Sequence, residues 1–461
     1  MIDKEITRLR AAAIVKPICV SWGDNTLSPN LPPASNLEKT AIVAILVFML
    51  GFRLAMAFHL NRIGLYEKFD VLMDTDPNLY VGAISHGWSF GREVHPAFGL
   101  LFNVPTRAID FLMAYFDLLN TGVIRSLAPV IFAPLVSSFG SFVWWLAAQR
   151  AGFSAQARLA GFLISQIAFS QTVFSVIPES YSLSGSLLCV LLLLSVNAAR
   201  TPEKLNSGRV RAQWLALACI MAGITVTNGF LCIAVWVAIR ARPKQLRRAI
   251  FEGAAAVVVV SLAIATFITL DRLVYQPEKQ QAGTTQALPE VRATTGLEEL
   301  SIYARRFGSP IKALENAVAF PAHLLASIFS PPVETVSLFY GYGLSIESSA
   351  KSWTRLTLAW LFALGAMVLV ARNKYSSTVV RAIISVILFN TLLHSVFGTE
   401  TFLYSQHWLA FLVFAVILPF SGRSSTGSNL VMTAIVLSAL LCNVGAWLEI
   451  LENVEPILRS R

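Results

Sequence analysis

Between residues 40 and 450 the chain is a succession of apolar runs separated by short polar breaks, each run close to the roughly 20 residues that a helix needs to cross a bilayer. Of its 461 residues, 55% are hydrophobic and 13% charged, with mean hydropathy +0.64. That is too little polar surface to cover a soluble globule. An all-α membrane protein is therefore expected, with one membrane domain filling most of the chain.

The net charge of +10 does not indicate a nucleic-acid partner, because the basic residues sit in short clusters between apolar runs rather than along one polar face. The positive-inside rule accounts for them better. Residues 1–39 carry Lys4, Arg8, Arg10, Lys16 and Lys39 without a signal-peptide core, and read as a cytoplasmic tail. The clusters Arg150/Arg158, Arg200–Arg211, Arg240–Arg248, Arg372–Arg381 and Arg423 then fall inside if 96–116, broken by Pro105, Arg107 and Asp110, lies in the interface or re-enters the membrane. A full span there would turn every later basic loop outward. This parity gives about eleven spans, among them 159–177, a hairpin turning outside near Thr227 and Asn228, 356–370 and 430–450. External loops fall at about 61–122 and 271–350, with interfacial helices in them, and 451–461 is a short external tail. The apolar but proline-broken 317–339 is expected to lie against the membrane or dip into it.

The five cysteines show no CxxC spacing and four lie inside apolar runs, so neither a disulfide framework nor a zinc site is indicated. Phosphate-loop, HExxH and GxSxG motifs are absent. Nucleotide-driven chemistry is disfavoured accordingly.

Potential chemistry concentrates in the first external loop. There Asp70, Asp74, Asp76, His86, Arg92, Glu93 and His95 lie among aromatics beside the membrane surface. Carboxylates at that depth cost several kcal/mol unless hydrated, paired or used, which marks a candidate site. The plainer alternative is a solvated loop in which Asp76-Pro77-Asn78 caps a helix. Asp76 precedes Pro77 and suits an N-cap, leaving Asp74 the freer carboxylate to act as a base. Asp70 and Asp74 would share a face if the segment were helical, as an acid pair or a cation site. The same parity brings Glu179 and Tyr181, Glu400, Tyr404, His407 and Trp408 to the same face. Glu179 could instead cap the helix that follows it, and His407-Trp408 could be an interfacial anchor. Arg92, Arg305 and Arg306 could hold a lipid phosphate or contact anionic headgroups. His59, His323 and His394 read as packing residues.

The aspartate loop leading into His95-Pro96, the span ending Arg150-Ala151-Gly152-Phe153-Ser154, Pro178-Glu179-Ser180-Tyr181 and Tyr404-Ser405-Gln406-His407-Trp408 together resemble the GT-C superfamily of polytopic membrane glycosyltransferases, its bacterial members above all. The resemblance covers most of the chain in layout and a few short motifs in residues. It implies a GT-C-like bundle in a bacterial inner membrane, with its site facing the periplasm or exterior. It also implies transfer of a sugar from a polyprenyl-phosphate-linked donor to a glycan, lipid or protein acceptor. By position, Asp74 or Asp76 would be the base. A divalent cation is left open, because Asp74-Thr75-Asp76 runs into proline. Rival readings are a transporter or flippase of lipid-linked saccharides, for which Arg53 and the Asn390 region are hints, and a surface-polysaccharide polymerase or ligase.

Overall fold

A computed structural model describes residues 34–73, 75–86, 94–101, 121–241, 245–274, 310–338, 341–346, 377–397, 401–421 and 425–460. Its helices are α1 (Asn36–Arg62), α2 (Pro77–His86), α3 (Thr121–Ala151), α4 (Ala155–Ile167), α5 (Phe169–Phe174), α6 (Ser180–Arg200), α7 (Gly208–Ile224), α8 (Val226–Arg240), α9 (Leu246–Val274), α10 (Pro310–Ile328), α11 (Ser377–Phe397), α12 (Leu409–Ile417) and α13 (Thr426–Ser460). One antiparallel hairpin, β1 (Glu334–Leu338) and β2 (Gly341–Ser345), pairs Glu334 with Ser345 through to Leu338 with Gly341. Among the described residues six helices are long and apolar enough to cross a membrane, and a seventh span results if the turn Thr401–His407 and the segment Leu409–Phe420, bent by 68°, count as one. Apart from that hairpin, the described residues form the long apolar helices of an all-α membrane protein.

Several sequence expectations change. Residues 159–177, read as one span, are α4 and α5, broken at Ala168 where the backbone turns extended (φ −51°, ψ 134°). Residues 317–339 are the C-terminal part of α10 followed by β1, so the proline-rich apolar stretch leads into a strand. Residues 451–460, expected as a tail, continue α13. The expected span 356–370 lies outside the described residues, as does most of 96–116.

The centre of the bundle is α3 against α6. Gly140 permits this approach, since a Cβ there would lie 2.9 Å from Ser186 Cα, the close backbone packing that small residues allow between membrane helices. Around this centre Trp144, Phe153, Phe162, Trp408, Phe411 and Phe414 form the main core. By contrast α9 is only 11% buried over its apolar window, against 61% for α6. Phe48, Phe251, Leu262, Leu441 and Leu448 are exposed on α1, α9 and α13. Such a surface is stable only with lipid as its solvent.

Breaking a helix inside hydrocarbon frees carbonyls that need partners from the protein. At Ala168 the buried Arg53 of α1 donates to Gln166 O (3.4 Å) and Gln166 Oε1 (2.7 Å), and Asn443 of α13 donates to Ile167 O (2.6 Å). Arg53 also donates to Ser138 Oγ (3.1 Å). Asn443 donates in addition to Ile328 O at the end of α10 (2.8 Å) and accepts from Ser330 N (2.7 Å). One amide side chain thus serves two helix ends.

Basic residues gather at one end of the bundle. Arg158 and Glu38 form a buried bidentate pair (2.6 and 2.5 Å) that Trp145 Nε1 joins at 3.2 Å. Arg200 donates to Arg150 O, Arg240 to Leu205 O and Arg381 to Ala241 O.

Asn443→Leu should lower stability by about 2 kcal/mol, since it strands two carbonyls and one N–H in an apolar setting. Unfolding in mixed detergent–SDS micelles measures this. A change within about 0.5 kcal/mol of zero would show that the break at Ala168 does not depend on it.

Candidate functional site

At the opposite end lies the aspartate loop. Asp70 and Met73 adopt left-handed backbone (φ +53° and +54°), which costs a non-glycine residue about 1–3 kcal/mol and persists only where the surroundings impose it. Here Asp70 N donates to Thr75 O (2.9 Å), and Thr75 N and Oγ1 both donate to Leu72 O (3.1 and 2.7 Å), closing the loop on itself. The loop is then pinned to β2, because Met73 N donates to Leu344 O (2.7 Å) and Leu344 N to Val71 O (2.8 Å). Val71, Leu72 and Met73 are buried in the cluster that holds Leu344, Phe174 and Phe402. Residues 70–73 are therefore not helical. Asp74 itself lies outside the described residues, as do Arg92, Glu93, Arg305, Arg306 and Glu400.

After the loop, Pro77 opens α2, and Leu79 N donates to Asp76 O (3.2 Å). The fully buried Glu179 accepts from Asp76 N at 2.6 Å. Of the two roles the sequence leaves open for Glu179, a place in the site or a cap of the helix after it, the second is not realised, since its side chain makes no capping bond to α6. It caps the start of α2 instead, 103 residues away. One carboxylate thus sits at the N-terminal ends of two helices, where their partial positive charge favours it.

From α2, Tyr80 reaches the next segment. Its hydroxyl lies 3.1 Å from His95 Nε2 and 3.3 Å from Ser180 Oγ. His95 Nδ1 lies 2.6 Å from Ile224 O. A carbonyl only accepts, so Nδ1 carries the proton and Nε2 accepts from Tyr80. Burial, together with nearby Glu179 and Asp76, raises the Tyr80 phenol well above its ordinary value and keeps it a donor. Loss of water around the His95 ring outweighs its bond to Ile224 O and lowers it to about 4. Backbone bonds set this segment on the turn between α7 and α8: Ala97 N donates to Gly223 O (2.7 Å) and Val226 N to Val94 O (3.0 Å).

A third group comes from Thr401–His407. Tyr181 packs edge-on to Tyr404 (5.8 Å between ring centres) and 6.1 Å from His407, while His394 lies 4.8 Å from Tyr404 and 5.5 Å from Trp408. Gln406 Nε2 and Ser405 Oγ both donate to Ser170 Oγ (2.7 and 2.6 Å), tying this turn to α5. Asn390 Nδ2 donates to His407 O at 3.4 Å. His394 and His407 are both buried, and neither ring nitrogen of either one has a hydrogen-bond partner among the described residues.

Of the residues singled out in the sequence, Asp70, Asp76, His95, Glu179, Tyr181, Tyr404 and His407 therefore belong to one contiguous region at one end of the bundle. Tyr80 and Ser180 are not singled out by the sequence, and His394 reads there as a packing residue. Tyr80 lies on α2 one turn past Asp76, a spacing that could have marked it, whereas nothing local marks His394. Among the described residues no three acidic, imidazole or thiol groups form a set that could hold a metal ion.

Comparison with known proteins gives no match, either to a family model or, at a significant score, to a curated protein. The fold itself defines the class, an integral membrane protein of long apolar helices. Its distinguishing feature is the acidic and aromatic region at one end.

Two outcomes test this geometry. Glu179→Gln keeps an acceptor for Asp76 N and should leave stability near that of the parent, whereas Glu179→Ala should cost about 1 kcal/mol, as cap removals do; equal losses would refute the capping role. For His95, a folded value of about 4 lies below the ordinary 6.5, so the unfolded chain binds the proton more readily between those values. Stability should fall as pH drops from 6.5 to 4, and His95→Gln should flatten that part of the thermal-unfolding profile relative to the parent.

Proposed function

We propose that this chain is a membrane glycosyltransferase that moves a sugar from a polyprenyl-phosphate-linked donor to a glycan, lipid or protein acceptor at the external face of a bacterial cytoplasmic membrane. The observation that carries the reading is the convergence, at the end of the bundle away from the arginine clusters, of the aspartate loop, Glu179, the Tyr80–His95 pair and the Tyr181–Tyr404–His407 group. Four separate segments of the chain contribute to it, 70–80, 94–97, 179–181 and 401–407.

In this reading Asp74 is the base. Single-step attack on the anomeric carbon inverts it, and a positioned carboxylate takes the acceptor proton as its oxygen attacks. The loop on either side of Asp74 is closed and pinned to β2, which fits a base that must keep its position while substrates exchange. Asp76 and Glu179 hold that loop to α6 through the amide of Asp76 and are positioning residues. The rings of Tyr181 and Tyr404 offer faces on which a sugar packs. His407, Arg92, Arg305 and Arg306 are the candidates to offset charge on the leaving phosphate.

Against the transporter alternative, Arg53 is held by Ser138 and Gln166 within the bundle rather than poised for a moving ion. Asn390 is likewise occupied, donating to Val386 O and His407 O.

Asp74→Asn should reduce sugar transfer in membranes by at least about a hundredfold with expression unchanged, read as labelled sugar moved from polyprenyl-phosphate donors to extractable glycan or lipid. Full transfer by that variant would remove Asp74 from its role. Identical glycans and lipids in cells with and without the protein would sink the assignment as a transferase.

A further inference from the structure

At the basic end, far from the region described above, α7, α8 and α9 enclose a cavity of about 190 Å³. Its walls are Trp214, Ala218, Cys232, Trp236, Ala256 and Val259, and at its mouth stand Arg211 and Glu252. Three guanidinium groups share that one carboxylate. Arg240 Nε lies 2.9 Å from Glu252 Oε2, Arg248 Nε 3.0 Å from Oε1 and Arg211 Nη1 3.9 Å from Oε1. Arg240 is committed to the fold, since it donates to Leu205 O and Asn206 Oδ1 and lies 5.0 Å over the Trp236 ring. Arg211, whose Nη2 also donates to Asn206 O (2.6 Å), and Arg248 are 40% and 54% exposed, so the mouth keeps two solvent-reaching cations against one carboxylate already engaged by a third.

One wall of the cavity runs along α9. Glu252, Ala255, Ala256 and Val259 line it at helical spacing and extend over about 10 Å from the charged mouth. The neighbouring face of α9 exposes Phe251, Val258 and Leu262, so the groove opens sideways to lipid. Arg211 and Arg248 both lie in the first turn of their helices, α7 and α9, whose N-terminal partial positive charge adds to theirs.

We propose that this groove binds one anionic phospholipid, its acyl chain along α9 between Trp214 and Trp236 and its phosphate at Arg211 and Arg248. A free phosphate would leave the apolar walls unfilled. A zwitterionic lipid would fill them but bring no net charge to answer the arginines. The inference does not depend on the chemistry proposed for the other end of the bundle.

The test uses the full chain, purified in detergent and stripped of lipid, with native mass spectrometry reading retained adducts of phosphatidylglycerol or phosphatidylcholine. The expected result is about tenfold preference for phosphatidylglycerol, unaffected by millimolar inorganic phosphate. Arg211→Gln with Arg248→Gln should bring the ratio near one. Val259→Trp, on the open wall, should lower retention of both lipids. Both sites are exposed, and an unchanged thermal midpoint verifies that each variant is folded. Equal retention of the two lipids by the parent, competition by inorganic phosphate, a preference that survives the double substitution, or retention that survives Val259→Trp would each overturn the proposal.

Discussion

A backbone that leaves the helical path inside a bilayer must find its hydrogen-bond partners within the protein, and the acidic and aromatic end of this bundle depends on how that is done. Helices stop at Ala168, at Thr225 and at Trp408, and each stop has its own partners. Arg53 and Asn443 take the carbonyls before Ala168. Backbone groups of residues 94–97 pair with those around Thr225. Asn390 reaches His407 O beside Trp408. The stops make room for polar side chains where unbroken helices would bury only apolar rings. They also explain why polar residues survive in the interior of so apolar a chain.

Electrostatics divides the molecule in the same sense. At one end, arginines close over helix C-terminal carbonyls and one buried carboxylate, Glu38, answers Arg158. At the other, Glu179 sits at two helix N-termini and His95 is held neutral by burial. Neutral His95 is what allows Tyr80 to donate to Nε2 rather than meet a second donor. The phenol, the imidazole and the carboxylate thereby form one arrangement whose protonation is set by its low-dielectric surroundings.

The sequence made the long helices legible because an apolar run of about 20 residues has few alternatives, and α1, α6, α9 and α11 fall where such runs predict them. The helix stops were not legible. Ala168 has no glycine or proline beside it, and its break is set by Arg53 and Asn443, which lie far away in the chain. The β-hairpin was missed because 317–339 carries the prolines of a broken membrane segment, and its pairing needs only five residues per strand. At the candidate site, residue type was readable and partnership was not. Glu179 stood out as an acid after proline, but nothing local points to the amide of Asp76. His394 looked like a packing residue and does pack on Phe320, yet it also stands beside Tyr404, an adjacency that only the bend at Trp408 creates.

These constraints meet in the strained loop. Two left-handed residues within four positions, Asp70 and Met73, would relax in a free loop, where the cost of about 1–3 kcal/mol each has no return. Here the strain is balanced by bonds to Leu344 and by burial of Val71 and Leu72 against Phe174 and Phe402. The hairpin in turn packs on α13, the helix whose Asn443 holds the break at Ala168. The same long helix therefore braces both the loop and the interrupted span beneath it. A base carried on such a loop would need little rearrangement when substrates bind, which is where preorganised sites gain their rate. The conformation of Asp70 and Met73 is consequently a property of this whole end of the bundle, and not of the loop sequence alone.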